Sequence, residues 1–166
     1  ISPAPRLSPE LESDVMERIV RPVARGMAGE GMPYHGVLYV GLMLTADGPQ
    51  VIEFNCRFGD PETQPIMMRL QSDLVALCEA ALEGRLDQVQ ARWDDRCAIG
   101  VVLAAGGYPG DYDRGAVISG LDNVDSETVK VFHAGTRSEN GHAVTNGGRV
   151  LCVTALGKNI AAAQQS

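Results

Sequence analysis

Residues 51–64 read V-I-E-F-N-C-R-F-G-D-P-E-T-Q and carry the most pointed chemistry in the chain. Val51, Ile52 and Phe54 favour a strand, and the turn residues Ala46-Asp47-Gly48-Pro49 precede them. Side chains alternate across a strand. Glu53 and Asn55 therefore share one face, joined by Arg57 if the strand runs that far. Ile52, Phe54 and Cys56 take the other face, which is expected to meet a core. Gly59-Asp60-Pro61 then breaks the strand, and Glu62 can begin a helix. Two readings fit E-x-N-x-R: an edge strand with a solvated face, or half of a nucleotide–metal site. The donor set favours the second. A carboxylate and an amide carbonyl are hard oxygen ligands, suited to Mg²⁺, which keeps waters and substrate phosphates in its shell. Arginine adds planar, permanently charged donors for phosphate or carboxylate.

The elements around this stretch follow from periodicity and breakers. Ser8-Pro9-Glu10 opens a helix, with Ser8 as N-cap, Pro9 in the first position and an acid in the first turn. Leu11, Val15, Met16, Ile19, Val20, Val23 and Met27 recur at helical spacing, and Pro22 is expected to kink or end the helix near Arg21. Gly29 and Gly31 stop it. Arg18, Arg21 and Arg25 read as a solvated helix face. Residues 36–45 are apolar on both faces and predict a buried strand. The Asp47-Gly48 turn makes an antiparallel hairpin with the Val51 strand. A three-residue loop sets Gly41 opposite Glu53, and a four-residue loop shifts the pairing by one, so the register stays open.

Residues 62–82 are helical in two pieces. Ser72 or Asp73 caps the second, Gly84 ends it, and the Met and Leu stripe reads as core. Residues 86–93 make a short helical connection, with Trp93 as a packing residue. From Arg96 the pattern turns to β. Strands are expected over residues 98–105, 129–134, 143–145 and 149–155, and a helix begins at Asn159. The loops at residues 106–110 and 146–148 read as hairpin turns, since neither carries a phosphate-loop motif opening a helix. His35, His133 and His142 are not at metal-ligand spacing. The composition thus divides near residues 94–96.

The chain has 166 residues, room for one domain or two small ones. Its formal net charge of −7 argues against nonspecific contact with nucleic acid or an anionic membrane, while leaving room for a local phosphate site. No apolar run approaches the ~20 residues of a membrane span. The Pro-rich start I-S-P-A-P lacks a signal-peptide pattern and a Met, as if the chain begins partway through a longer one. Cys56, Cys78, Cys97 and Cys152 are scattered, which predicts reduced thiols in a cytoplasmic protein.

Ser2-Pro3-Ala4-Pro5, residues 39–43, 53–64, 100–112, 132–136 and 144–156 together resemble the phosphoribosylamine–glycine ligase family of the ATP-grasp superfamily. The likeness runs in order over nearly the whole chain. The blocks E-F-N-C-R-F-G-D-P-E-T-Q and A-A-G-G-Y-P-G-D-Y are its most specific parts. The resemblance implies an α+β fold: residues 1–94 form the C-terminal part of an ATP-grasp domain, an antiparallel sheet with helices. Residues 95–166 form a small β-rich C-terminal domain, truncated at Ser166.

It also implies a reaction. ATP phosphorylates the carboxylate of glycine, and the amine of 5-phosphoribosylamine attacks the glycyl phosphate, giving glycinamide ribonucleotide, ADP and phosphate. By the family pattern Glu53 and Asn55 are ligands of Mg²⁺ or Mn²⁺. Arg57 stabilises the transferring phosphoryl group, and Asp60 and Glu62 orient substrate or Arg57. The partners implied are these small molecules only, with no nucleic acid and no membrane, in a monomer or weak dimer. Many ATP-grasp enzymes place a second acidic ligand on the preceding strand, where this chain has Gly41. The family's nucleotide-gripping lobe precedes the matched region, so the chain alone is expected to be inactive. The alternatives are another ATP-grasp ligase or carboxylase, or a non-catalytic module reusing the fold. Carboxylases share E-x-N-x-R, whereas the G-Y-P-G-D-Y and F-H-A-G-T segments favour the glycine ligase.

Overall fold

A computed structural model describes residues 1–124 and 126–166. The chain divides into two compact units: one comprises Ala4–Asp60 and Leu70–Trp93, the other Ile1–Pro3, Pro61–Arg69 and Asp94–Ser166.

In the first unit, helix α1 (Pro9–Val15) begins where Ser8 Oγ accepts the Leu11 N–H at 3.2 Å. A π-helical segment, Met16–Val20, leads directly into α2 (Arg21–Gly29). The helix therefore neither ends at Arg21 nor breaks at Pro22. Proline offers no N–H and its ring crowds the carbonyl four residues back. The wider π turn places that carbonyl out of register and lets the helix continue. After α2, Gly31 adopts φ 76°. Its N–H donates to the Ala28 carbonyl at 3.1 Å and that of Met32 to the Met27 carbonyl at 2.9 Å, a left-handed C-terminal cap. Arg18 pairs with Asp14 and Arg21 with Glu17, each one turn back on the exposed face.

Strands β1 (Tyr39–Thr45) and β2 (Gly48–Asn55) form a two-stranded antiparallel sheet. Pairing starts at Thr45 opposite Gly48, so the loop is shorter than either length expected from the sequence. A bulge then leaves Ile52 without a partner and restores Gly41 to a place opposite Glu53. The strand expected to be buried is not. Met43 and Leu44 are exposed, as are Val51, Ile52 and Phe54 on β2. A strand with one paired neighbour among the described residues gains too little cover to bury both faces. Helix α4 (Leu74–Leu82) starts where Asp73 accepts the Val75 N–H at 2.8 Å. Ser72 does not cap it, because its hydroxyl accepts the Arg92 N–H at 2.7 Å. The expected core stripe of α4 is only partly covered, with Leu82 79 % exposed and Ala80 buried. The connection after it is helical only over Leu86–Gln88, and Trp93, read as a packing residue, is exposed.

The second unit is built on β7 (Arg149–Gly157). It lies between β3 (Cys97–Ala104) and β4 (Val129–His133), antiparallel to both. Thr154 at its centre has no exposure, and Cys152 and Ala155 are buried with it. A separate hairpin, β5 (Thr136–Glu139) and β6 (His142–Thr145), turns through Asn140 and Gly141, both at positive φ as a tight two-residue turn requires. β5 is an addition to the sequence reading: its T-R-S-E is polar throughout and offers no alternation signal. Helices α3 (Thr63–Arg69) and α5 (Ile160–Gln165) pack on β3 and β7. A Cβ at Gly100 would lie 3.0 Å from Pro65 Cγ, and one at Gly157 would fall on the backbone of Ala162 and Ala163. The bare strand backbone lets both helices sit close.

Arg69 and Asp94 tie the separate chain segments of this unit together. The Asp94 N–H donates to the Arg69 carbonyl at 2.7 Å, and Arg69 Nε donates to the Asp94 carbonyl at 3.1 Å. Arg69 Nη1 reaches Ser2 Oγ at 3.1 Å, and Ser2 pairs with Ala98. The Arg96 side chain donates to both carboxylate oxygens of Asp94, the shortest contact being 2.6 Å. Hydrogen bonds from the Arg96 side chain and backbone hold the Asp94 carboxyl down to about 2 from its ordinary 3.8.

A depressed carboxyl stabilises the fold above its unfolded value and loses that effect as pH falls through its folded one. Thermal melts should therefore show stability lost between about pH 3.8 and about pH 2 through this group, and Asp94→Asn should flatten that part of the pH profile. Gly157→Val drives a branched side chain into α5 and should destabilise the chain by about 1–3 kcal/mol, read as a lower unfolding midpoint in denaturant.

Candidate functional site

The β-hairpin places Glu53 and Asn55 as the sequence predicts. Glu53 is exposed and lies opposite Gly41; Asn55 ends β2, half-buried, opposite Tyr39. Partners two apart on each strand keep Glu53 and Asn55 on one face. Arg57 does not join that row, because β2 stops at Asn55 and a bend follows at Cys56 and Arg57. Its Nη1 donates to the neighbouring Phe58 carbonyl at 2.9 Å, and the side chain is exposed. Asp60 is exposed at the end of its segment. Glu62 belongs to the other unit, where its carbonyl accepts the Ile66 N–H at 3.2 Å in the first turn of α3. It begins that helix through its main chain.

This face offers one carboxylate and one amide oxygen. Among the described residues no three His, Cys, Asp or Glu side chains gather as a metal cage. Two oxygen donors on an exposed strand fit a cation that keeps most of its shell for water and phosphate, the habit of Mg²⁺. They do not fit a closed zinc site. Two of the three histidines are engaged elsewhere: the His35 Nδ1–H lies 3.1 Å from the Ala81 carbonyl, and His133 Nδ1 lies 2.9 Å from Thr136 Oγ1.

Two aromatic residues flank the row without a signal in the sequence reading. Tyr39 pairs opposite Asn55, and its Cε1 would lie 3.6 Å from a Cβ at Gly41. Tyr34 donates to the Val37 carbonyl at 2.6 Å, and burial, reinforced by the nearby Cys56 thiol, pushes its phenol above the ordinary range. The glycine loops of the other unit are structural turns but not the hairpins expected, since among the described residues β3 does not pair with β4 nor β6 with β7. Ala105 donates to the Gly148 carbonyl at 2.8 Å, and Asn146 and Gly147 both donate to the Gly135 carbonyl, at 2.7 and 3.0 Å. Gly148 leaves room for the Tyr108 ring. Those three amides are already engaged within the unit.

Comparison with known proteins gives matches over most of the chain. The family model "Phosphoribosylglycinamide synthetase, ATP-grasp (A) domain" matches residues 1–63, and "Phosphoribosylglycinamide synthetase, C domain" matches residues 98–166. A phosphoribosylamine–glycine ligase from Allochromatium vinosum is 65% identical over 164 residues, covering 98% of this chain. One from Vibrio parahaemolyticus is 62% identical over 165 residues, covering 99% of it. The chain spans 38% of the length of each of these curated relatives. A crystal structure of a phosphoribosylamine–glycine ligase from Thermotoga maritima superposes with a TM-score of 0.81 at 33% identity, over 98% of this chain and 40% of that one. No described helix is long and apolar enough to cross a membrane. With an ATP-grasp match over the strand bearing Glu53 and Asn55, and a C-domain match over the β7 sheet, the chain belongs to the phosphoribosylglycinamide synthetase family.

Proposed function

We propose that this chain is the C-terminal part of an ATP-dependent ligase that joins glycine to 5-phosphoribosylamine through a glycyl phosphate, releasing glycinamide ribonucleotide, ADP and phosphate. The observation that carries the reading is the pair Glu53 and Asn55 on one face of β2, within the residues matched by the ATP-grasp domain. The C-domain match at residues 98–166 favours the glycine ligase over carboxylases that share the same strand pattern. The enzyme would work in the cytoplasm on small molecules alone, as a monomer or weak dimer. Residues 1–94 would serve the ATP-grasp domain and residues 95–166 the small C-terminal domain.

The chemistry sets the roles. A carboxylate is a poor electrophile until it gains a phosphate leaving group. Moving a phosphoryl group between anions needs offsetting positive charge and reactants held in line. Glu53 and Asn55 would hold Mg²⁺ or Mn²⁺, which supplies charge neutralisation at the phosphates of ATP. Arg57 would turn from the Phe58 carbonyl to the transferring phosphoryl oxygens; its exposed side chain leaves that movement unopposed by packing. Asp60 and Glu62 would orient Arg57 or substrate. An ATP site made of two lobes cannot close on one, so this chain by itself should be inactive.

The test is ADP release from ATP, glycine and 5-phosphoribosylamine in the complete enzyme. Glu53→Ala and Arg57→Ala should each lower kcat by about 10²–10³-fold, and Arg57→Lys should recover little because the planar fork is lost. Undiminished turnover in Glu53→Ala would overturn the metal assignment. The 166-residue chain alone should release no ADP above background, and turnover near the complete enzyme's rate would refute the divided site.

A further inference from the structure

Gly41 stands opposite Glu53, and its backbone gives no reason for glycine. Its φ is not among the positive ones, so any residue could adopt its conformation. What glycine supplies is space. A Cβ at position 41 would lie 3.0 Å from Glu53 Cγ, 3.6 Å from the Glu53 carbonyl oxygen and 3.6 Å from Tyr39 Cε1. The Glu53 side chain therefore leans across the strand over bare Cα, beside the Tyr39 ring. The Ile52 bulge makes this meeting possible. Without it, continuation of the pairing from the loop would set Gly41 opposite Ile52.

We propose that Gly41, brought opposite Glu53 by the Ile52 bulge, is a positioning residue that fixes where the Glu53 carboxylate sits for cation binding. The inference rests on the metal role of Glu53 given above. The two strands present a single carboxylate here, so its placement depends on how its stem lies on the neighbouring strand. Glu53 is exposed, and packing does not hold it against a push. A methyl at position 41 would rotate the Glu53 stem away and leave the sheet in place. The change would then move the ligand and spare the fold.

The test uses the complete enzyme with a non-hydrolysable ATP analogue, reading Mn²⁺ binding by electron paramagnetic resonance. Gly41→Ala should weaken Mn²⁺ binding by roughly 10–100-fold, the range for losing a residue that orients a ligand. Its melting temperature should stay within about 5 °C of the parent. In a Glu53→Ala background the same substitution should change Mn²⁺ binding no further, since the two act through one side chain. Unchanged Mn²⁺ binding in Gly41→Ala overturns the proposal. So does an equal loss in both backgrounds, or a fall in melting temperature beyond about 5 °C, because either would make position 41 structural. Full Mn²⁺ affinity in Glu53→Ala refutes the metal reading itself and takes this inference with it.

Discussion

Close approach of backbone to side chain or backbone is the constraint on which the unit built on β7 depends. At Gly157, α5 passes so near β7 that a side chain would occupy the helix backbone. At Gly100 the ring of Pro65 rests against the strand, with Cys152 also close by. Interiors pack at crystal-like density, so a missing Cβ in a strand decides how far a helix can descend. β7 then takes two strand partners and two helices at once. It is the best buried strand among the described residues, with Val150, Leu151, Cys152, Thr154 and Leu156 all covered.

The same device appears at Gly41 with a different consequence. There the absent side chain admits Glu53, a polar residue on an exposed face, and no core element depends on it. Gly100 and Gly157 shape stability, whereas Gly41 shapes where a carboxylate stands. The Arg69, Asp94 and Arg96 cluster is a further case of position set by local bonding. It joins separate stretches of chain through main-chain hydrogen bonds and one charged group held below its ordinary range.

Much of the fold was legible in the sequence because its signals are local. Ser8, Asp73 and Asn159 each cap the helix they precede, and Gly31 and Gly84 sit at positive φ after α2 and α4. The apolar run of β3 and the alternation of Glu53 and Asn55 needed only neighbours in the chain. The errors came where partners lie far away. The residues of β1 look buried from composition, yet a strand is covered only if something packs on it, and here Met43 and Leu44 are exposed. Pro22 looked like an end because the π segment that absorbs it has no signature in residue type. β5 is polar throughout and exists through its pairing with β6.

For the site, the amino-acid sequence alone determined the chemistry: an oxygen-donor pair at strand spacing, an arginine after it, and the family motif around them. Those follow from residue types and a two-residue period. Tertiary structure decided the rest. It ended β2 before Arg57, turned that guanidinium toward Phe58, and used the Ile52 bulge to set Gly41 across from Glu53. Strand ends, bulges and cross-strand neighbours are properties of pairing between distant residues. A sequence read along its own length cannot supply them.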